Sequence, residues 1–432
     1  MSVDSGSQAV TPTSHARRLL DSFGLSQLQP AADERSAELL WAQSGAMWLS
    51  GHADAPARAC PAPLAACAQG AWLALAALAP AQCDPHFDAF RLLGERAAMA
   101  GLSRQGRRSA GGACQLWQTA GGVLALNLAR ADDIELLPAW LEQPLTAIDA
   151  LPALLAVRDS ATLIERARLL GLAAASMSAP VECAGWFRAT RCAPPQRAVA
   201  STPLVVDLSA LWAGPLCASL LAQCGARVIK VESRSRPDGA RSGPAAFYDL
   251  LNAGKESVAL DLRSAAGRAQ LHMLLQRADI VIESSRPRAL EQMGIFASEL
   301  IAAHPGKVWL GISGYGRRAP MRDWIAYGDD AGVAAGLSWL MGGDCGDPVF
   351  CGDAIADPLT GLHAAPLALA AWRSGGGQLL DVALCDVAAY CAGGWTAAAT
   401  ATVEAAVPAA RAVTARAAAL GADTARVLNE FL

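Results

Sequence analysis

Twelve cysteines occur in 432 residues, yet no two are spaced C-x-x-C, so zinc-ribbon and thioredoxin-type motifs are lacking. A G-x-G-x-x-G fingerprint is also missing where the first α/β strand ends; Leu211-Trp-Ala-Gly-Pro215 stands there instead. That argues against a dinucleotide cofactor. No basic stripe is present and the formal net charge is −4, which argues against a nucleic-acid partner. No charge-free apolar run is long enough to span a bilayer, the stretch 71–80 being a short one. The start of the chain, Met1 to His15, is polar and has no apolar core of a secretory signal; it is expected to be disordered. These absences leave a cytoplasmic α/β protein with no metal, no permanently bound cofactor, and no membrane or nucleic-acid partner as the expectation.

What is present is apolar bulk. Apolar residues make up 53% of the chain, ample for a large core, and the length exceeds that of most single domains, so two are expected. Residues 16–81 carry a helical pattern interrupted by a Pro-rich loop at 52–63, and 88–102 reads as an amphipathic helix. Residues 114–128 read as a hairpin turning at Ala120-Gly121-Gly122. Helices are expected at 131–141 and 160–170. Pro194, Pro195 and Pro203 mark 191–203 as a linker. Beyond it the pattern changes to short β-branched runs (204–209, 227–232, 257–262, 279–283, 307–313) separated by helical ones (213–226, 264–278, 288–304). Such alternation predicts a parallel sheet covered by helices on both faces, and ligands of such sheets lie outside the carboxyl ends of the strands.

One stretch bears most on function: Cys351-Gly-Asp-Ala-Ile-Ala-Asp-Pro-Leu-Thr-Gly-Leu-His363. Asp357 stands among small and apolar residues. Pro358 suits a first helical turn, which predicts Asp357 at the N-cap, near the positive end of the helix dipole, and a helix to Trp372 kinked at Pro366. An isolated Asp-Pro pair is ordinarily no more than a cap. Of the pair Asp329 and Asp330, ahead of an Ala/Gly-rich helix at 331–341, at least one is expected to cap.

The run Val206-Asp-Leu-Ser-Ala-Leu-Trp-Ala-Gly-Pro-Leu216, followed by Gly225-Ala-Arg-Val-Ile-Lys-Val-Glu232, resembles the opening of the class III CoA-transferases, the family of formyl-CoA transferase, carnitine CoA-transferase and α-methylacyl-CoA racemase. Further segments follow in family order: Leu251–Leu262, Ala278–Glu283, Leu290–Gly294, Ile312–Gly316, Ile355–His363 and Gly376–Leu384. The resemblance covers about residues 203–394. It implies a Rossmann-like large domain with a parallel sheet plus a smaller α+β domain. It also implies assembly as a homodimer or as a hetero-oligomer with a related chain. The implied activity moves CoA from an acyl-CoA to a carboxylic acid, with coenzyme A as substrate. The family's nucleophilic aspartate falls on Asp357, in the preserved pattern Asp-x-x-x-Gly-x-His.

The same resemblance implies that Arg263, the basic residue after the Leu-Asp motif, meets a CoA phosphate. Arg234, Lys255 and Arg286 are further basic residues of that kind, each otherwise a surface charge. Trp212 replaces a glutamine of several relatives. Gly376 and Gly377, in Ser374-Gly-Gly-Gly-Gln378, either offer N–H groups to an oxyanion or simply turn helix into strand. Tyr327 stands where the racemases place a histidine, which favours transfer over two-base racemisation; Asp329 is a further site-lining candidate. The region 16–200 contains pieces resembling the small domain and an echo of the nucleophile helix, Pro63–Trp72, without the aspartate. It is therefore expected to be a degenerate family copy that contributes a small domain, followed by a large domain at 201–395 and a helical tail at 396–432. A non-catalytic acyl-CoA-binding subunit and a racemase or isomerase are the alternatives to the transferase.

Overall fold

The computed structural model describes residues 9–181, 183, 185–196, 201–395 and 403–431. The β-branched runs beyond residue 203 form strands β5 (Leu204–Leu208), β6 (Arg227–Ser233), β7 (Glu256–Leu260), β8 (Ile280–Glu283), β9 (Val308–Ser313) and β10 (Gln378–Ala383). All pair in parallel, and β4 (Phe187–Arg191) adds antiparallel to β10, giving the order β4-β10-β9-β8-β5-β6-β7. The chain winds outward from β5 through β6 to β7, then returns to the other side of β5 for β8. That reversal is the switch point of the sheet, and a ligand crevice outside the carboxyl ends of β5 and β8 is expected there. The fold is the α/β parallel-sheet architecture the alternation predicts.

A second sheet, β1 (Cys114–Thr119), β2 (Gly122–Asn127) and β3 (Ala173–Ser176), is antiparallel throughout and contains the expected hairpin. Leu124, Leu126, Trp140, Leu151 and Leu163 make a separate core beneath it. Most buried apolar residues between 16 and 93 instead join the core of the large sheet. The helix Leu64–Leu78 carries no charged side chain and is buried nearly all round. A helix of that kind must be covered on every side, and it lies between the helices Pro12–Ser22 and Ala356–Arg373. Close approach is permitted by Gly70, where a β-carbon would fall 2.7 Å from the Pro12 carbonyl oxygen.

Several expectations need correction. Of the polar start, residues 1–8 lie outside the described residues, but Pro12–His15 is helical rather than disordered. Thr11 and Ser14 cap each other reciprocally, and His15 is buried. The segments expected as single helices at 88–102, 131–141, 288–304 and 331–341 are each broken, at Gly94, at Leu136 just ahead of Pro138, at Gly294 and at Gly336. The tail is helical only at Thr424–Phe431; 403–418 has no helix, and 396–402 lies outside the described residues. Part of the proline-rich linker, 197–200, also lies outside them. Among the described residues no helix is long and apolar enough to cross a membrane.

Because the Ala356–Arg373 helix is covered by residues before 100, a fragment of residues 203–432 exposes a long apolar face. It is expected to elute as aggregate on gel filtration and to lose helical circular dichroism. A monodisperse, helical fragment would contradict this packing.

Candidate active site

The Asp-x-x-x-Gly-x-His pattern has a separate physical reason at each position. The helix Ala356–Arg373 buries every residue except Asp357 and Arg373, and runs on through Pro366. At Gly361 a β-carbon would meet the Ala213 carbonyl oxygen at 2.7 Å and Leu216 Cβ at 2.9 Å. The glycine therefore lets the helix lie directly on helix Ala213–Gln223. His363 Nδ1 donates to the Leu359 carbonyl at 2.7 Å, which leaves Nε2 to accept from His15 Nε2 at 2.8 Å. Burial, then His15, pushes the His363 pKa down to about 3. It is a neutral docking point for the first helix.

Asp357 sits in the first turn but not at the N-cap, which is Ile355. This corrects the expected register by two residues. Its backbone N–H is turned to the Ala354 carbonyl at 2.9 Å, and Ala354 holds a left-handed φ of 42°, a conformation that costs a non-glycine residue energy. The strained turn presents the carboxylate to the N-terminus of helix Gly328–Ala334, where the Gly328 N–H donates to Asp357 Oδ2 at 3.1 Å. Gly328 has to be glycine: a β-carbon there would lie 2.4 Å from Asp357 Oδ2 and 2.3 Å from the Ala354 oxygen.

Four carboxylates share this corner. Asp329 Oδ1 accepts from the Ala354 N–H at 2.8 Å. Asp330 Oδ1 accepts from the Tyr327 N–H at 3.0 Å and from Asn127 Nδ2 at 2.9 Å. Asp330 is thus the capping residue of the pair, whereas Asp329 faces the Asp357 turn. Asp353 is fully buried and holds Arg96 through two hydrogen bonds, one of 2.8 Å from Nε to Oδ2 and a second from Nη2 to Oδ1. Burial pushes Asp357 up to about 7, against the pull of Arg96 and with the push of Asp329. Burial and Asp353 raise Asp329 to about 6, and burial raises Asp330 to about 7. Arg96 itself stays charged: burial works against it, but Asp353, Asp329 and Asp357 hold it above its ordinary range.

Sequence reasoning missed Arg96, Asn127, Asp353 and Ser109, whose hydroxyl opposes the rise in the Asp329 pKa. Asp353 lies inside the quoted stretch, four residues before Asp357. The other three belong to the first half of the chain, and no local pattern marks them. Of the residues that were singled out, Trp212, Tyr327 and Asp329 come together with Asp357. Trp212 is buried beneath the Arg96 guanidinium, 5.6 Å from its ring centre, and its indole N–H finds no acceptor among the described residues. Tyr327 is the N-cap of the helix that carries Asp329.

Lys255 is a correction. It is buried and bonded to Asp207 at 3.0 Å, the Pro215 carbonyl at 2.9 Å and Asn252 at 3.0 Å. Burial lowers its pKa to about 8, Asp207 opposing. With Lys230, which bonds the Ser209 carbonyl and Asp238, it fixes the loop after β5 and cannot reach a phosphate. Gly376 and Gly377 are a second correction. They end the Asp357 helix, which at 1.5 Å per residue puts them about 25 Å from Asp357 in the same chain. Their left-handed φ values of 61° and 72° form the turn into β10, and a β-carbon on Gly376 would strike the Gly306 carbonyl. Arg234 and Arg263 are exposed at the rim beyond β6 and β7. Arg286 lies at the crevice itself, following β8, with no side-chain partner among the described residues. Burial, then Arg288, Arg130 and Arg236, lowers its pKa. Across the crevice Leu211 holds a φ of 69°, and Ser284 bonds the Ala210 N–H at 3.0 Å.

The model of CoA-transferase family III matches residues 203–421. Succinyl-CoA–D-citramalate CoA-transferase of Chloroflexus aurantiacus is 35% identical over 191 residues, 42% of this chain and 48% of that protein. The alpha subunit of succinyl-CoA–L-malate CoA-transferase from the same organism is 36% identical over 193 residues, 42% of this chain and 45% of that one. The chain spans about half the length of the curated relatives it matches. Among solved structures, a hypothetical protein of Mycobacterium tuberculosis aligns with a TM-score of 0.41 and 29% identity over 45% of this chain and 57% of that one.

The carboxylate cluster makes stability depend on pH. Asp330 binds its proton more tightly folded than unfolded, its pKa rising from 3.8 to about 7. Its contribution is therefore fully present below about pH 4 and lost as pH rises through 7. Asp330→Asn keeps the capping oxygen and removes that loss. Relative to the parent, its unfolding free energy is expected to gain on the order of 2 kcal/mol between pH 5 and pH 8. Chemical denaturation at the two pH values measures it, and a pH-independent difference would contradict the assignment.

Proposed function

Since the chain belongs to CoA-transferase family III, we propose that it moves CoA from an acyl-CoA thioester to a carboxylic acid, with Asp357 as nucleophile. The observation that carries this reading is the placement of Asp357. Its carboxylate is partly open, poorly solvated, held by one N–H, and set by a strained turn beside the crevice of the sheet. A pKa of about 7 leaves a large share ionised at neutral pH, and limited solvation makes that anion a better nucleophile.

The proposed steps balance without a metal or redox partner. A carboxylate oxygen of Asp357 attacks the thioester carbonyl; the C–S bond breaks, giving a mixed anhydride and CoA thiolate. The thiolate attacks the aspartyl carbonyl of that anhydride and releases the donor acid as its carboxylate, leaving an aspartyl-CoA thioester. The acceptor carboxylate attacks this thioester and expels the thiolate. The thiolate then attacks the acceptor's acyl carbon, which forms the product acyl-CoA and restores Asp357.

The CoA chain fits the crevice between the loops after β5 and β8. Arg286, with Arg236 and Arg288 nearby, faces its phosphates there, and Arg234 and Arg263 stand at the rim. Trp212 borders the acyl end. Tyr327, in place of a second acid/base histidine, supports transfer over racemisation. We read residues 16–200 as a degenerate family copy, and assembly as a homodimer or with a related chain, as the alpha subunit name of one relative suggests for that protein.

Asp357→Asn preserves size and the Gly328 contact. It is expected to fold normally and to lose transfer by about three orders of magnitude or more. With acyl-CoA present, hydroxylamine is expected to convert Asp357 to a hydroxamate found by peptide mass. Near-normal transfer by Asp357→Asn, or a label on Asp329, Asp330 or a cysteine, would refute the assignment. A chain that binds acyl-CoA but gives no label would instead be the non-catalytic subunit.

A further inference from the structure

The basic group that acts on Asp357 comes from the other half of the chain. Arg96 lies in the short helix Glu95–Ala100, 257 residues before Asp353. The helix is pinned on both sides of the residue. Glu95 is buried and takes two hydrogen bonds of 2.7 Å from Arg411, Nε to Oε1 and Nη2 to Oε2. Gly111 lacks a β-carbon where Arg96 Nη2 would lie 3.0 Å away. The guanidinium is thereby fixed in three ways: its Nε and Nη2 edge on Asp353, its face over Trp212, and its Nη2 side against Gly111.

The charges around Asp357 come from several elements. The helix Gly328–Ala334 brings Asp329 and Asp330, and the turn before Asp357 brings Asp353. The helices Leu64–Leu78 and Ala213–Gln223 bring none. The helix Leu384–Ala392 carries Asp386, β10 carries Asp381, and the 3-10 turn Ala89–Leu93 carries Arg91. On the Asp357 helix itself, His363 is neutral and Arg373 is at the far end, bonded to Leu78. Arg96 is the positive charge set among the acids of this corner.

We propose that Arg96 is a positioning residue for the Asp357 site: by clamping Asp353 and placing its charge among three converging carboxylates, it keeps Asp357 in the attacking anionic form. The first half of the chain thus completes a site whose nucleophile lies in the second. This rests on the reading of Asp357 as nucleophile, and it goes beyond it by assigning the group that sets that nucleophile's ionisation. Loss of Arg96 acts twice, since it removes a cation and unmasks the charge of Asp353. Loss of Asp353 acts in the opposite direction, since it removes an anion and leaves the cation.

The test uses the full chain with 13Cγ-labelled aspartate, the Asp357 resonance being assigned by its absence in Asp357→Asn. In Arg96→Gln the midpoint of the Asp357 titration is expected to rise by about one unit or more, equivalent to a tenfold change in proton affinity. Arg96→Lys, which keeps the charge, is expected to stay near the parent, and Asp353→Asn is expected to fall below it. The acid limb of kcat/KM should move with the midpoint. Unmoved midpoints in folded Arg96→Gln and Asp353→Asn would overturn the proposal; should Arg96→Gln fail to fold, an unmoved or raised midpoint in Asp353→Asn would overturn it alone. Midpoints that move as expected while the acid limb stays still would uphold the role of Arg96 and refute the nucleophile reading instead.

Discussion

The structure depends on one helix that cannot meet water on any side. Between Ala356 and Arg373 there is no polar face, and the sheet can cover only one surface of the cylinder. The remaining surface is covered by helices that lie far away in sequence, Ala213–Gln223 and Leu64–Leu78, with Pro12–Ser22 beyond the latter. Glycines at 70 and 361 bring these backbones close enough to exclude voids. The demand for cover draws the first half of the chain onto the large sheet, and that same docking carries Arg96 to the N-terminal end of the helix.

At that end the demand reverses. The nucleophilic role proposed for Asp357 needs a charged group there, while everything that makes the surrounding core stable disfavours charge. The protein answers with a small set of counter-charges and N–H donors instead of water. Asp357 keeps one N–H, from Gly328, and shares the field of a single half-buried guanidinium with Asp329 and Asp353. The left-handed turn at Ala354 is the local cost of holding those groups together, and the packing around it supplies the stability to sustain that strain.

The basic residues divide along the same line between burial and exposure. Lys255 and Lys230 carry buried charge that shapes the loop after β5, whereas Arg286 stands at the crevice with its side chain unengaged among the described residues. Proximity of a lysine to a family motif does not separate these cases. The difference lies in whether carboxylates and carbonyls close around the ammonium group.

The sequence alone determined what local periodicity and turn chemistry can encode: the parallel α/β half and the hairpin at β1 and β2. The helix interruptions at Gly94, just ahead of Pro138, at Gly294 and at Gly336 were also within its reach, since glycine and proline carry that information directly. Only the tertiary structure decided that His363 docks a helix rather than titrates at the site. It likewise placed Gly376 and Gly377 at the far end of the helix from Asp357, buried Lys255, and joined Arg96, Ser109 and Asn127 to the acids. The physical reason is range. Helix and strand patterns repeat over a few residues, whereas desolvation and charge pairing depend on distances between groups separated by hundreds of residues, and those distances exist only once the core has closed.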